Sequence, residues 1–246
     1  MSKKSKAAER AAKAAAALAE RKRKERRRNI LTAVAVVAVM ALIVGAGFLF
    51  SRSSDEKADE GVSPTSAYDL AIGDEDAPHT VVIYEDYLCP ICQAFEAGSR
   101  EQLAQLADDG KVYVSYRPFN LFSRADDPRK GYSVAAAAAF AVVQDMSGDA
   151  VAKKFHNLLY ENQPSEAGPF PDADWLVDLA VQAGADEADV REGIEKEDGT
   201  EWVEKATDEA EDADVSSTPT IFLDGEQFRD GRTMEEVVDN LVAALD

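Results

Sequence analysis

The sequence predicts an α/β fold in which a helical insertion separates two halves of one sheet, preceded by one transmembrane helix. Three observations lead there. Strand patterns at residues 80–85 and 111–117 flank a helical pattern at 93–107, and a strand, helix and strand in that order make a crossover unit with parallel strands. Five helical stretches then follow in succession before strand character returns at residues 220–223 and 226–228. Upstream, residues 30–50 form an apolar run without a single charge.

Each element has a local reason. In the first helix Phe95, Leu103 and Leu106 recur at near-helical spacing, and Asp109-Gly110 ends it. Residues 111–117 (Lys-Val-Tyr-Val-Ser-Tyr-Arg) alternate as a strand does. Helices are expected over 133–146, 151–161, 174–183, 186–197 and 201–213, with Asp172 and Asp186 as caps. The run Ala135 to Ala139 reads as high helix propensity or as close helix packing, the former being the default. Asp224-Gly225 turns the hairpin, and Thr233-Met234-Glu235-Glu236 opens the last helix as a capping box.

Charge divides the chain. Residues 1–29 hold twelve Lys or Arg against three Glu, while the whole chain carries −20, so a basic leader precedes a strongly acidic body. That acidity excludes nucleic acid as a partner and reads as a solvated surface. The 21 residues from Ile30 to Phe50, with only Thr32 polar, are long enough to cross a bilayer core of roughly 30 Å. Positive charge ahead of this span predicts a cytoplasmic N-terminus and an extracytoplasmic body. Cleavage as a signal peptide is the competing reading, disfavoured by the long charged leader and the lack of a tight A-x-A-like site. The basic cluster of the leader rests against anionic lipid or acts purely as a topology signal. Residues 51–67 read as a flexible linker reaching on the order of 20–25 Å, and residues 68–246 as one domain whose helical insertion covers about 125–214.

The only two cysteines of the chain are three apart, as Cys89-Pro90-Ile91-Cys92, directly after the first strand. That geometry makes Cys89 the cap of the following helix and Pro90 its first residue, where a missing N–H costs nothing. Cys89 would face the positive end of the helix at its exposed start, which favours the thiolate, with Cys92 one turn further in. A structural role is a weak explanation: closing so short a loop stabilises by only about 2 kcal/mol. Metal binding is not expected either, because only His79 and His156 could join the cysteines, at irregular spacing.

From residue 71 onward the chain resembles the DsbA-like branch of the thioredoxin superfamily. Asp86-Tyr87-Leu88-Cys89-Pro90-Ile91-Cys92 is similar to that family's D-Y-x-C-P-x-C site, Ala71 to Pro78 to its lead-in, and Ser217-Thr218-Pro219-Thr220 to the loop whose proline is cis and faces the dithiol. The resemblance implies a thioredoxin-like fold with its insertion between the sheet halves, and a membrane-anchored, extracytoplasmic thiol-disulfide oxidoreductase. Cys89 would be the attacking sulfur and Cys92 the resolving one, while Pro90, Ile91, Thr218 and Pro219 would form the loop that meets substrate. Exported cysteine-containing proteins would be its substrates, a quinone-linked membrane oxidase its redox partner, and no cofactor beyond the Cys89–Cys92 pair would be needed.

Two departures bear on mechanism. Ile91 replaces the histidine of the strongest oxidants of this family, which should make the disulfide less oxidising. Ile83 stands six residues before Cys89, where many relatives place an acid; Glu85, on the same strand face, is a candidate proton relay or else a solvated strand-end carboxylate. Introduction of disulfides is the expected activity. Isomerisation, reduction, or a catalytically silent binding module are the alternatives. Tyr84, Tyr87, Tyr113, Tyr116, Phe119 and Phe122 are expected to pack the sheet and its rim, Trp175 and Trp202 to pack within the insertion, and His156 to lie on the surface or in a hydrogen bond.

Overall fold

A computed structural model describes residues 61–122, 127 and 129–246. The leader, the apolar span at 30–50 and most of the linker lie outside the described residues. Among those described, no helix is long and apolar enough to cross a membrane.

Five strands form one sheet in the order β1-β3-β2-β4-β5, with β1 Leu70–Ile72, β2 His79–Glu85, β3 Val112–Pro118, β4 Thr220–Leu223 and β5 Glu226–Phe228. β2 and β3 run parallel, joined by helix α1 (Pro90–Asp108), as the crossover order requires. β4 returns antiparallel on the other side of β2, with Tyr84 opposite Thr220. That register sets the loop before β4 beside the end of β2, where the cysteine turn begins.

β2 is apolar throughout because both its faces are covered. Val81 and Ile83 join the main core with Phe95 and Leu103 of α1 and Leu241 of the last helix. Val82 and Tyr84 point the other way, into a smaller core with Phe119, Ala206, Ala210 and Phe222. Burying side chains of this size stabilises by about 1.5–3 kcal/mol each. The aromatic residues expected to pack the sheet, Tyr84, Tyr87, Tyr113, Tyr116, Phe119 and Phe122, are all buried.

The insertion consists of α2 (Arg129–Ser147), α3 (Asp149–Glu161), α4 (Ala173–Ala183), α5 (Glu187–Glu195) and α6 (Thr200–Asp212). Asp172 and Asp186 cap α4 and α5 as expected, accepting from the backbone N–H of Trp175 and Ala188. The alanine run is a packing device rather than a matter of propensity. Ala136 to Ala139 are buried, and a Cβ placed on Gly199 would lie 2.3 Å from the Ala138 carbonyl, so the start of α6 sits directly on the backbone of α2.

The hairpin strands and the last helix, α7 (Met234–Leu245), follow the sequence closely. Thr233 accepts from the Glu236 N–H, but the Glu236 carboxylate takes the N–H of Arg232 and not that of Thr233, so the capping box closes one residue early. Strand β1 escapes periodicity because it is only three residues long. It is held by its antiparallel register on β3 and ends at Gly73, whose φ of +92° and close approach to the Val112 carbonyl admit no side chain.

Candidate active site

Cys89 is the N-cap of α1 with extended backbone (φ −74°, ψ 117°), and Pro90 opens the helix. Cys89 is narrower in access than its place at a helix start suggests, with 6% of the residue exposed. Pro90 and Ile91 beside it are exposed, Ile91 by 51%, and Cys92 is fully buried on the inner face of the helix. Both cysteines are free thiols.

The two sulfurs have opposite acidities for physical reasons. The Cys92 thiol, followed by Thr218 and the backbone N–H groups at the helix start, lowers the Cys89 pKa to about 6 against the opposing effect of burial. Burial, the neighbouring Cys89 and the charge of Glu85 push Cys92 well above the usual thiol range. At neutral pH the outer sulfur is a thiolate and the inner one keeps its proton.

Thr218 and Pro219 reach this spot through the β2–β4 register. The Thr218–Pro219 peptide is cis, as the resemblance implied, and the Cys89 thiol lies 3.5 Å from the Thr218 carbonyl, to which it donates when protonated. Both residues are half-buried, so the loop walls one side of the cysteine turn.

Asp86 and Gln163 hold that turn, and neither was assigned a role from the sequence. The fully buried Asp86 carboxylate accepts from Leu88 N–H at 2.8 Å, Leu121 N–H at 2.9 Å and the Ser133 hydroxyl, while its carbonyl accepts from Cys89 N–H at 3.0 Å. Burial raises its pKa to about 6 despite these bonds. Gln163, just beyond α3, donates to the carbonyls of Tyr87 and Cys89 at 3.1 and 3.0 Å. The insertion therefore clasps the loop that carries the nucleophile.

Glu85 is not a solvated strand-end carboxylate: it is fully buried. His156 Nε2 lies 2.5 Å from its Oε1. Glu96, on the buried face of α1, and Lys153, on α3, complete the group, with Lys153 Nζ 3.8 Å from Glu96 Oε2. Burial raises both carboxyl pKa values, and lowers His156 to about 3, so the imidazole is neutral. Glu85, Glu96 and His156 bring one donor atom each within 4.8 Å of one another. The positive charge there is already supplied by the Lys153 ammonium, and the group reads as a proton-bearing cluster rather than a metal centre. A sequence signal for it existed: Glu96 interrupts the apolar stripe Cys92, Phe95, Leu103, Leu106, and His156 interrupts Ala152, Phe155, Leu159.

The thioredoxin family model matches residues 65–242. The disulfide bond formation protein D of Bacillus subtilis is 27% identical over 197 residues, covering 77% of this chain and 84% of its own. Among solved structures, the reduced form of the disulfide bond oxidoreductase DsbG from Mycobacterium tuberculosis aligns with a TM-score of 0.62 and 29% identity, over 77% of this chain and 90% of that one. Reduced DsbA from the same organism aligns with a TM-score of 0.58 and 26% identity, over 73% of this chain and all of that one.

Proposed function

The chain belongs to the thioredoxin family and is a thiol-disulfide oxidoreductase, and from that premise we propose that it introduces disulfides into exported proteins, held at the outer membrane face by the apolar span at residues 30–50. The observation that carries the site assignment is the placement of Cys89 as the N-cap of α1, 3.5 Å from the Thr218 carbonyl, with Cys92 fully buried one helical turn behind it.

In the proposed reaction a substrate thiolate attacks Cys89 of the Cys89–Cys92 disulfide. The S–S bond breaks, a mixed disulfide forms at Cys89, and Cys92 leaves as thiolate and takes up a proton. A second substrate thiolate then displaces Cys89, so the substrate loses two electrons to the pair. Glu85 is the nearby acid that gives or receives the Cys92 proton, the role first considered for it from its strand face. Thr218 and Pro219 line the turn where an extended substrate segment would lie, and exposed Ile91 offers an apolar contact. A quinone-linked membrane oxidase would reoxidise the pair, and anionic lipid would meet the basic leader.

The thiolate alone does not set the direction of electron flow. A pKa of about 6 favours the reduced form at pH 7 by about 1.4 kcal/mol over an ordinary thiol, or ~30 mV, whereas thioredoxin and DsbA differ by about 150 mV. Support for the oxidase direction comes from the relatives named for disulfide bond formation. Equilibration with glutathione tests it. A potential above about −200 mV is expected, and one near thioredoxin's value of about −270 mV would overturn the oxidase direction while leaving exchange intact. Trapping tests the site: Cys92→Ala should accumulate a mixed disulfide with reduced substrate, and Cys89→Ala should abolish exchange.

A further inference from the structure

We propose that His156, carried by the helical insertion, conducts the proton released by Cys92 from Glu85 to Lys153 at the protein surface, so that the insertion and not the thioredoxin scaffold supplies the proton path. This rests on the exchange reading of Cys89 and Cys92 and extends it to a residue that acts through Glu85, as a positioning residue.

The geometry defines the path. Lys153 Nζ lies 3.4 Å from His156 Nδ1 and 2.9 Å from Asn157 Oδ1. With the ring proton on Nδ1, 3.3 Å from the acceptor Asn157 Oδ1, Nε2 is free to accept the proton of Glu85 Oε1 at 2.5 Å, and Nδ1 passes its own to Lys153 once that ammonium has lost one to solvent. An unbroken line of donors and acceptors thus runs from a carboxylate with no exposure to a lysine side chain that is 16% exposed. A neutral imidazole passes protons along such a line by accepting at one nitrogen and releasing at the other.

Charge balance says why a proton belongs here. Glu85 and Glu96 are buried acids, and Lys153 is the single cation in contact with either of them among the described residues; Arg100 on α1 is committed to Glu161 at 2.5 Å. Two carboxylates facing one ammonium leave one negative charge that burial makes costly, so the cluster binds one exchangeable proton. The remaining groups beside it are the hydroxyls of Tyr87 and Tyr116, which have no hydrogen-bond partner, and that of Tyr160, which donates to Glu85. Glu85 is the carboxylate whose charge is felt at the Cys92 thiol, and so the acid placed to take the proton that Cys92 must lose.

Reaction with an aromatic disulfide separates the steps. The Cys89 thiolate first displaces one aryl thiolate and forms a mixed disulfide. Cys92 then attacks the Cys89 sulfur, the Cys89–aryl bond breaks, the Cys89–Cys92 bond forms, and a second aryl thiolate and one proton are released; the aromatic disulfide is reduced by the two electrons the protein loses. Stopped-flow absorbance of the aryl thiolate reports both phases in full-length protein and in His156→Gln.

The expected result is an unchanged first phase and a second phase slowed about tenfold or more at neutral pH, the lower end of what proton transfer contributes. The deficit should vanish in alkaline solution, where hydroxide removes the Cys92 proton directly. Lys153→Gln should show the same pattern, and it decides the matter if His156→Gln fails to fold. A second phase equal to wild type at every pH overturns the proposal, as does a loss of unfolding midpoint without a change in the pH profile. Retention of one equivalent of a divalent metal by dialysed wild type, lost in His156→Gln, also overturns it. Absence of a second phase in wild type would instead sink the exchange reading itself.

Discussion

Replacing Cys92 by alanine removes the foremost cause of the acidity of Cys89, and the consequence is best read from a pH profile rather than from one rate. In the wild type the Cys89 pKa of about 6 makes the sulfur about nine-tenths thiolate at pH 7, against about one part in a hundred for a thiol at the ordinary 9.0. That roughly 90-fold gain in thiolate is largely offset. Intrinsic nucleophilicity falls by about 0.4–0.5 log units per pKa unit, or some 15- to 30-fold over three units, so the net advantage at pH 7 is only several-fold. A hydrogen bond to a charged acceptor contributes about 1.5–3 kcal/mol, which is about one to two pKa units. The profile of Cys92→Ala should therefore move its midpoint from about 6 to about 7–8, and its alkaline plateau should rise about three- to eightfold. Alkylation by iodoacetamide from pH 4 to 10, with thiolate absorbance as an independent record, measures both quantities. An unmoved midpoint in the variant, or a wild-type midpoint near 9, would refute the claim that the buried partner sets the reactivity of the outer sulfur.

Three further outcomes follow from the geometry. The lowered Cys89 pKa contributes stability to the reduced domain that is complete above pH 9 and lost as pH falls through 6; relative to the oxidised domain, which lacks this thiolate and with it the charge that helps raise the Asp86 and Glu85 carboxyls, urea unfolding should show a gain from pH 5 to 7 of at most about 1.4 kcal/mol, and a flat difference would contradict it. Asp86→Ala strands the buried N–H groups of Leu88 and Leu121 and should lower stability by about 2–5 kcal/mol in the same assay; a loss under 1 kcal/mol would show that the turn holds itself. Gly199→Ala drives a methyl into the Ala138 carbonyl and should destabilise by about 1–3 kcal/mol, whereas a neutral result would mean that α2 and α6 separate freely.

How much of this was legible beforehand depended on range. β4 and β5 stand where residues 220–223 and 226–228 had placed them, and α3 to α6 lie within two residues of their expected bounds, because each is written in a local period, with Asp172 and Asp186 capping α4 and α5. β1 was missed, since three residues carry no period and its partner β3 lies some forty residues away. The cysteine turn was legible as a motif. The accessibility of Cys89 was not, because it depends on Thr218, some 130 residues downstream.

The sequence by itself determined the order of the elements other than β1, the position of the dithiol at a helix start and the division between basic leader and acidic body, while the loop of Pro219 was marked by the family resemblance. The first three follow from spacing, charge and local backbone preference, which neighbouring residues settle among themselves. The tertiary structure alone decided that Glu85 is buried instead of solvated, that His156, Lys153 and Glu96 surround it, and that Asp86 and Gln163 hold the loop of the nucleophile. Burial strips water from an acid only when segments far apart in the chain pack around it, and a proton's affinity for that acid depends on those neighbours, not on its own place in the sequence.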